Sequence, residues 1–282
     1  ATANLKNALH DSAGTADRTP RPMFRVEQPQ NPFAAGFRLA ERIFHSTVRS
    51  IRQKQGNAVL GLLKNILQTV IFLAVFYLMM ELLGMRGAAI RGDFVLYLMS
   101  GVFLYMTHTR AIGAVFGSEG PTSPMMLHAP MNTVIAIASA ALGSLYMQML
   151  SMVVVLYVYH VAFTPITIDD PVGAFAMFLL AWFSGVGIGM VFLALKPWFP
   201  GFAAILQSIY SRANMLFSGK MFVANAMSFT MLAIFRWNPL FHTIDQARGF
   251  VFLNYFPRYT SPWYPLAVTV PLLMIGLMGE FF

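Results

Sequence analysis

Long apolar runs separated by short polar breaks organise most of this chain. Four runs, from about Leu60 to Leu83, Asp93 to Phe116, Thr133 to Val161 and Val172 to Leu195, each reach the roughly 20 residues that a helix needs to cross a bilayer. A fifth begins near Gly201 and is interrupted by Arg212, about eleven residues in and so roughly 16 Å deep at 1.5 Å per residue. A closing run extends from Trp263 to Phe282.

The stretches outside these runs have patterns of their own. Between Phe33 and Ile51, apolar residues Phe33, Phe37, Ala40, Phe44, Val48 and Ile51 recur every three or four positions, with Arg38, Glu41, Arg42, His45, Arg49 and Arg52 on the other face. Asn31 and Pro32 offer a helix start, and Gly56 and Asn57 a stop. The spacing predicts an amphipathic helix lying in the inner headgroup plane, basic side toward phosphate or a partner protein. Residues 1–30 lack periodicity and are expected to form a mobile tail. From Arg236 to Pro265 the chain packs Trp237, Phe241, Tyr255, Tyr259 and other rings among Arg236, His242, Asp245, Arg248 and Arg258, a mixture suited to a membrane interface. Just before it, Ala224 to Phe235 is apolar but too short to span, which predicts a re-entrant or interfacial helix. Asn238 and Pro239 start a second short helix. On it His242, Asp245 and Arg248 or Gly249 share a face.

Composition turns this pattern into a class. With 57% hydrophobic and only 11% charged residues, the chain departs from soluble domains and reads as an integral membrane protein. The expected fold is all-α and polytopic: six transmembrane helices, an N-terminal amphipathic interface helix over 31–57, and two short re-entrant outer helices before the last span. Cysteine is absent, which excludes disulfides, thiol nucleophiles and thiolate metal sites. The 20 methionines are scattered through apolar runs and read as packing residues, so no metal site is expected. Ten of the 19 Lys and Arg lie at or before Lys64, which predicts a cytoplasmic N-terminus and contact with membrane lipids, not nucleic acid.

Individual polar residues within the runs carry separate expectations. Arg110 and His108 lie near the inner end of the second span, where Arg110 can snorkel. Gln148 and Ser151 read as bundle-facing packing groups. Gly185, Gly187 and Gly189 read as close helix packing, because no strand precedes them as a nucleotide loop would require. Arg212, with Asn214 and Lys220, could line a polar path or form a structural ion pair. Segment 117–131 contains Pro124, which can start a short helix through Met125, Met126, Leu127 and His128 before Pro130 stops it. His242 and Asp245 are the candidates for an acid/base dyad, but no serine nucleophile or metal-ligand set converges with them, so no catalytic residue is expected.

The order of elements, together with Ser123 to Met126, HAPMNTV from His128, RANM at Arg212 to Met215, SGKMFVAN at Ser218 to Asn225, and WNPLFHTIDQARG at Trp237 to Gly249 followed by NYFPRYTSPWYP, resembles the permease subunits of ABC exporters for capsular polysaccharide and related lipid-linked glycans. The resemblance covers about residues 33–282. It implies a homodimer in the bacterial inner membrane that carries lipid-linked polysaccharide from cytoplasm to periplasm, with a separate ATP-binding subunit and a periplasmic or outer-membrane adaptor. It places ATP and Mg on that partner subunit, leaving this chain without cofactor or ATPase site, and no P-loop occurs in the sequence. It implies a six-span domain over 58–282, with 117–131 coupling ATP-driven closure to the membrane and 219–262 forming an outer gate of two helices, Ala224 to Phe235 and Pro239 to Phe252. Arg212, Lys220, Arg236, Trp237, Phe241, His242, Asp245, Arg248, Tyr255, Arg258 and Tyr259 would then line the substrate path or gate. An exporter of O-antigen or of small lipids or drugs would share this architecture, and a glycan-modifying membrane enzyme is a further alternative.

Overall fold

The computed structural model describes residues 32–55, 58–84, 92–118 and 133–281. The expected tail over 1–30, and Pro124, Met125, Met126, Leu127 and His128 of the expected coupling segment, lie outside the described residues. The chain divides into two units, Ala1–Ala40 and Glu41–Phe282. Helix α1, Pro32–Gln55, runs across their boundary and covers the predicted amphipathic segment. Phe37 and Phe44 are exposed on it, as are Arg38 and Arg42, while Arg49 and Arg52 follow further along the same helix.

Within the second unit the long helices are α2 (Ala58–Leu82), α3 (Phe94–Phe116), α4 (Thr133–Ala162), α5 (Pro171–Leu195), α6 (Pro200–Phe217) and α9 (Trp263–Phe281); two short helices, α7 (Phe229–Phe235) and α8 (Pro239–Val251), separate the last two. No strand occurs among the described residues. Three helices, α2, α4 and α5, are long and apolar enough to cross a membrane.

Sequence chemistry sets the helix starts. Asp93 caps α3 by accepting from Val95 N at 2.8 Å, and Asp170 caps α5 by accepting from Val172 and Gly173 N, with Pro171 at the first position. Pro200 opens α6 and Pro239 opens α8 in the same way.

Helix α3 is the centre of the bundle. From Leu96 to His108 it is buried continuously, against α5 along one side, α4 and α2 on others, and α8 near its start. The contact with α5 is close because of the Gly185, Gly187 and Gly189 repeat. A Cβ at Gly185 would overlap the main-chain oxygen of His108, one at Gly189 would meet Ile112 and Val115, and one at Gly187 would meet Thr269 of α9. The expected packing role of these glycines is therefore what the structure shows: α5 presents small residues to both of its main neighbours, in the manner of membrane helix pairs.

Polar groups bridge the apolar helices. Asn65 of α2 donates to Gln148 Oε1 at 2.7 Å and lies within reach of Ser151 Oγ and the Met147 carbonyl, which ties α2 to α4. Gln148 and Ser151 thus face the bundle as expected, while Asn65 was not anticipated. Arg110 donates to Gln68 Oε1 of α2 at 2.6 Å, so it is engaged by protein instead of only reaching toward headgroups.

Candidate functional site

The segment between α6 and α9 is neither a loop nor a span. At its start Gly219 adopts φ +71°, a left-handed turn that also leaves no room for a side chain, since a Cβ there would overlap Phe241. The expected single helix over Ala224 to Phe235 is not formed. A 3-10 turn at Ala224–Ala226 is followed by extended Met227, and α7 starts anew at Phe229. The physical reason is Ser228, whose hydroxyl accepts from Met231 N and caps a second start inside what reads as one apolar run. Helix α8 matches the sequence reading closely and ends at Val251, with Phe252 as its C-cap.

The charges of this segment point inward. Arg248 is 0% exposed. Its guanidinium donates from Nη1 to the Gly219 and Phe222 carbonyls at 3.0 and 2.6 Å and from Nη2 to the Lys220 carbonyl, while Cζ lies 4.2 Å from the centre of the Tyr97 ring. One side chain therefore closes the 219–222 turn onto α8 and seats both on α3. Lys220 is buried too: Nζ donates to the Met215 carbonyl at 2.6 Å and sits over the rings of Tyr105, Phe76 and Phe72, at 3.8, 4.6 and 5.2 Å from their centres. A cation cage of three rings offsets part of the cost of taking an ammonium out of water.

Asp245 and Arg248 do not pair. Asp245 accepts from the Tyr255 hydroxyl and from Thr260 Oγ1 at 2.7 Å, both in the connection from α8 to α9. Burial and the nearby Asp245 carboxylate push the Tyr255 hydroxyl well up from its ordinary range, so it stays a donor. His242 likewise contacts main chain, not Asp245: Nε2 donates to the Arg236 carbonyl at 2.9 Å, Nδ1 accepts from Ser261 N at 3.1 Å, and the ring packs on Tyr264 at 4.4 Å. Burial lowers the His242 pKa, which agrees with the neutral tautomer that these partners require. The sequence pairing of His242 with Asp245 thus dissolves in the structure, because each ring nitrogen and each carboxylate oxygen already holds a structural partner.

A buried polar chain connects this segment to the middle of the bundle. His108, 0% exposed, has Nδ1 against Ser184 Oγ at 2.8 Å and Nε2 against the Tyr210 hydroxyl at 3.1 Å and Asn214 at 3.5 Å. Asn214 Oδ1 then accepts from Asn238 Nδ2 at 2.6 Å, and Asn238 both donates to the Phe217 carbonyl and caps α8 through Leu240 N. Asn214 is consequently a structural link, not part of a polar path beside Arg212. The sequence signal for it was weak: asparagines at the end of one apolar run and before a proline.

The eleven expected path or gate residues fall into two groups. Lys220, Phe241, His242, Asp245, Arg248 and Tyr255 are buried and hold the segment together. Arg212, on α6, is exposed, as are Arg236, Trp237, Arg258 and Tyr259, Trp237 at 81% and Tyr259 at 50%; the last four form the surface the segment offers to its surroundings. Among the described residues no group of three or more acidic, histidine or cysteine side chains could hold a metal ion. Compared with models of known protein families and with curated proteins, the sequence matches none.

Proposed function

We propose that the chain is the six-span permease subunit of an ATP-driven exporter of capsular or similar lipid-linked polysaccharide, working as a homodimer with a separate ATP-binding subunit in the bacterial inner membrane. The observation that carries this reading is the segment over 219–262: between two apolar helices the chain folds back as short helices, packs α8 on α3 and α5 with buried Arg248 against Tyr97, ties its start to α6 through Asn238, and leaves a rim of rings and guanidinium groups exposed. Such a rim suits a long, hydrated, anionic polymer, which needs flat faces for sugar rings and forked donors for phosphate or carboxylate, without covalent chemistry. α3, α6 and α9 complete the six spans in this reading. The N-terminus faces the cytoplasm, where the basic residues of α1 meet anionic headgroups.

Energy comes from the partner. Purified alone, the chain is expected to show no ATP hydrolysis above a buffer blank, and to co-purify with an ABC ATPase when the two are expressed together; nucleotide turnover by the isolated chain would overturn the division of labour. The substrate class is tested at the rim. Trp237→Ala combined with Tyr259→Ala should lower export of lipid-linked polysaccharide by roughly tenfold, as expected for losing two ring contacts of about 0.5–1.5 kcal/mol each. Both residues are exposed, so thermal stability should stay within about 0.5 kcal/mol of the parent. Unchanged export would remove the rim from the substrate path.

A further inference from the structure

Two cavities lie side by side at the end of the bundle where α3, the α4–α5 connection and α8 converge. One, of about 390 Å3, is open and part polar; its walls include Asp93 at the start of α3, Thr167 and Asp169 in the α4–α5 connection, and Asn254 just after α8. The other, of about 170 Å3, is apolar and runs between helices; Phe103, Met152, Leu156, Ala174, Phe175 and Phe178 line it. Leu96, Ile168 and Val251 belong to the walls of both. The two cavities are therefore adjacent, and together they offer an amphipathic recess, part polar at the end of the bundle and apolar toward its middle.

The recess is built, not incidental. The α4–α5 connection is pinned across the end of α8 by Asp170 N donating to the Phe250 carbonyl at 2.8 Å and Asp169 N to the Val251 carbonyl at 3.4 Å. Asp93 is held by Tyr159, whose hydroxyl donates to Oδ2 at 2.6 Å, while Oδ1 caps α3. From Leu96 to Phe103 the apolar part follows α3 for about 10 Å at 1.5 Å per residue. Its floor is α3 and α8 and its sides are α4 and α5, where Phe175 is exposed and Met152 and Leu156 are half-buried, so it opens sideways, toward what would be lipid.

We infer that this recess binds a bilayer phospholipid with a primary ammonium headgroup, one acyl chain entering between α4 and α5 and the headgroup resting in the polar cavity. Charge selects the headgroup. Among the described residues the polar end is lined by two carboxylates and by no Lys or Arg, so this part of the wall attracts a cation and disfavours a purely anionic headgroup. A primary ammonium has three donors to share between Asp93 and Asp169. Its phosphate can then face Thr167 and Asn254, neutral groups that can donate. A quaternary ammonium cannot donate these hydrogen bonds. An acyl chain matches the second cavity because that cavity has almost no polar wall.

The proposal is independent of what the protein exports. The full chain, reconstituted in nanodiscs of equal parts phosphatidylethanolamine and phosphatidylglycerol, would be released and weighed by native mass spectrometry. The parent should retain phosphatidylethanolamine preferentially. Asp169→Asn, at an exposed position that does not disturb the fold, should cut that preference by roughly tenfold, the scale of one charge-assisted hydrogen bond. Ala174→Trp, which fills the apolar part, should abolish retention of both lipids. Equal retention of the two lipids by the parent, an unchanged preference in Asp169→Asn, or lipid still held by a folded Ala174→Trp protein would each overturn the proposal.

Discussion

Replacing Arg248 with Met is expected to destabilise the protein by about 2–4 kcal/mol, the scale of losing several hydrogen bonds donated by a charged group to main-chain carbonyls. The methionine would occupy much of the same space, but the buried Lys220 carbonyl and the half-buried Phe222 carbonyl would lose their guanidinium donor, and the Gly219 carbonyl would keep only Phe222 N. Unpaired buried carbonyls cost more than the hydrogen bonds themselves contribute. The loss should appear as a lower thermal midpoint in detergent and as faster proteolysis between residues 219 and 262. Arg248→Lys should recover little of it, because a point-charge ammonium cannot present a planar fork to three carbonyls while lying on the Tyr97 ring. A loss below about 1 kcal/mol in Arg248→Met would mean that the turn holds α8 without its guanidinium.

A pair of alanine substitutions separates the two kinds of glycine in the bundle. Gly185→Ala drives a methyl group into the His108 carbonyl and against Ala111, and backbone cannot step aside as a flexible side chain can. Overpacking of this kind costs about 1–3 kcal/mol, and more where two helices must separate. The same change should loosen the polar chain, because His108 reaches α5 at Ala181 and Ser184, one turn or less from the forced contact. Gly113→Ala, on α3, meets nothing within 4 Å and should stabilise by about 0.5–1 kcal/mol through helix propensity alone. Equal effects of the two, read from thermal midpoints at equal protein-to-detergent ratio, would show that the α3–α5 seam is not close-packed.

Much of the framework was legible along the chain. The starts of α3, α5 and α8 follow from Asp93, Asp170 with Pro171, and Asn238 with Pro239, all local signals that act within one helical turn. The boundaries of the apolar helices agree with the expected runs to within one or two residues, since length and apolarity are properties of the segment itself. The apolar run from Ala224 was misread because composition cannot show that Ser228 turns its hydroxyl back to cap a new helix instead of pointing away.

The site was legible in position but not in role. Arg236 to Pro265 stood out by its mixture of rings and charges, yet sequence spacing put His242, Asp245 and Arg248 together as one working face. Helical spacing does place them on a common side of α8, but what they meet there depends on residues 15 to 29 positions away: Ser261 for His242, Thr260 for Asp245 and Gly219 for Arg248 lie across two turns that bring them together. Asn65 and His108 were obscure for the same reason. A single polar residue in an apolar run has no meaning until its partner on another helix is known, Gln148 for the first and Tyr210 for the second.

By itself, then, the sequence determined an all-helical architecture over the described residues, with helices long and apolar enough to cross a membrane, a basic amphipathic helix ahead of them and one polar-aromatic interruption, because hydrophobic period, caps and charge all act locally. Only the tertiary structure decided which charges in that interruption are supports and which are surface. Arg248, Lys220 and Asp245 must bury their charge among carbonyls, rings and hydroxyls drawn from distant segments, whereas Arg212, Arg236, Trp237, Arg258 and Tyr259 remain at the surface. The cost of desolvating a charge depends on every group packed around it, and those groups are assembled only when the helices meet.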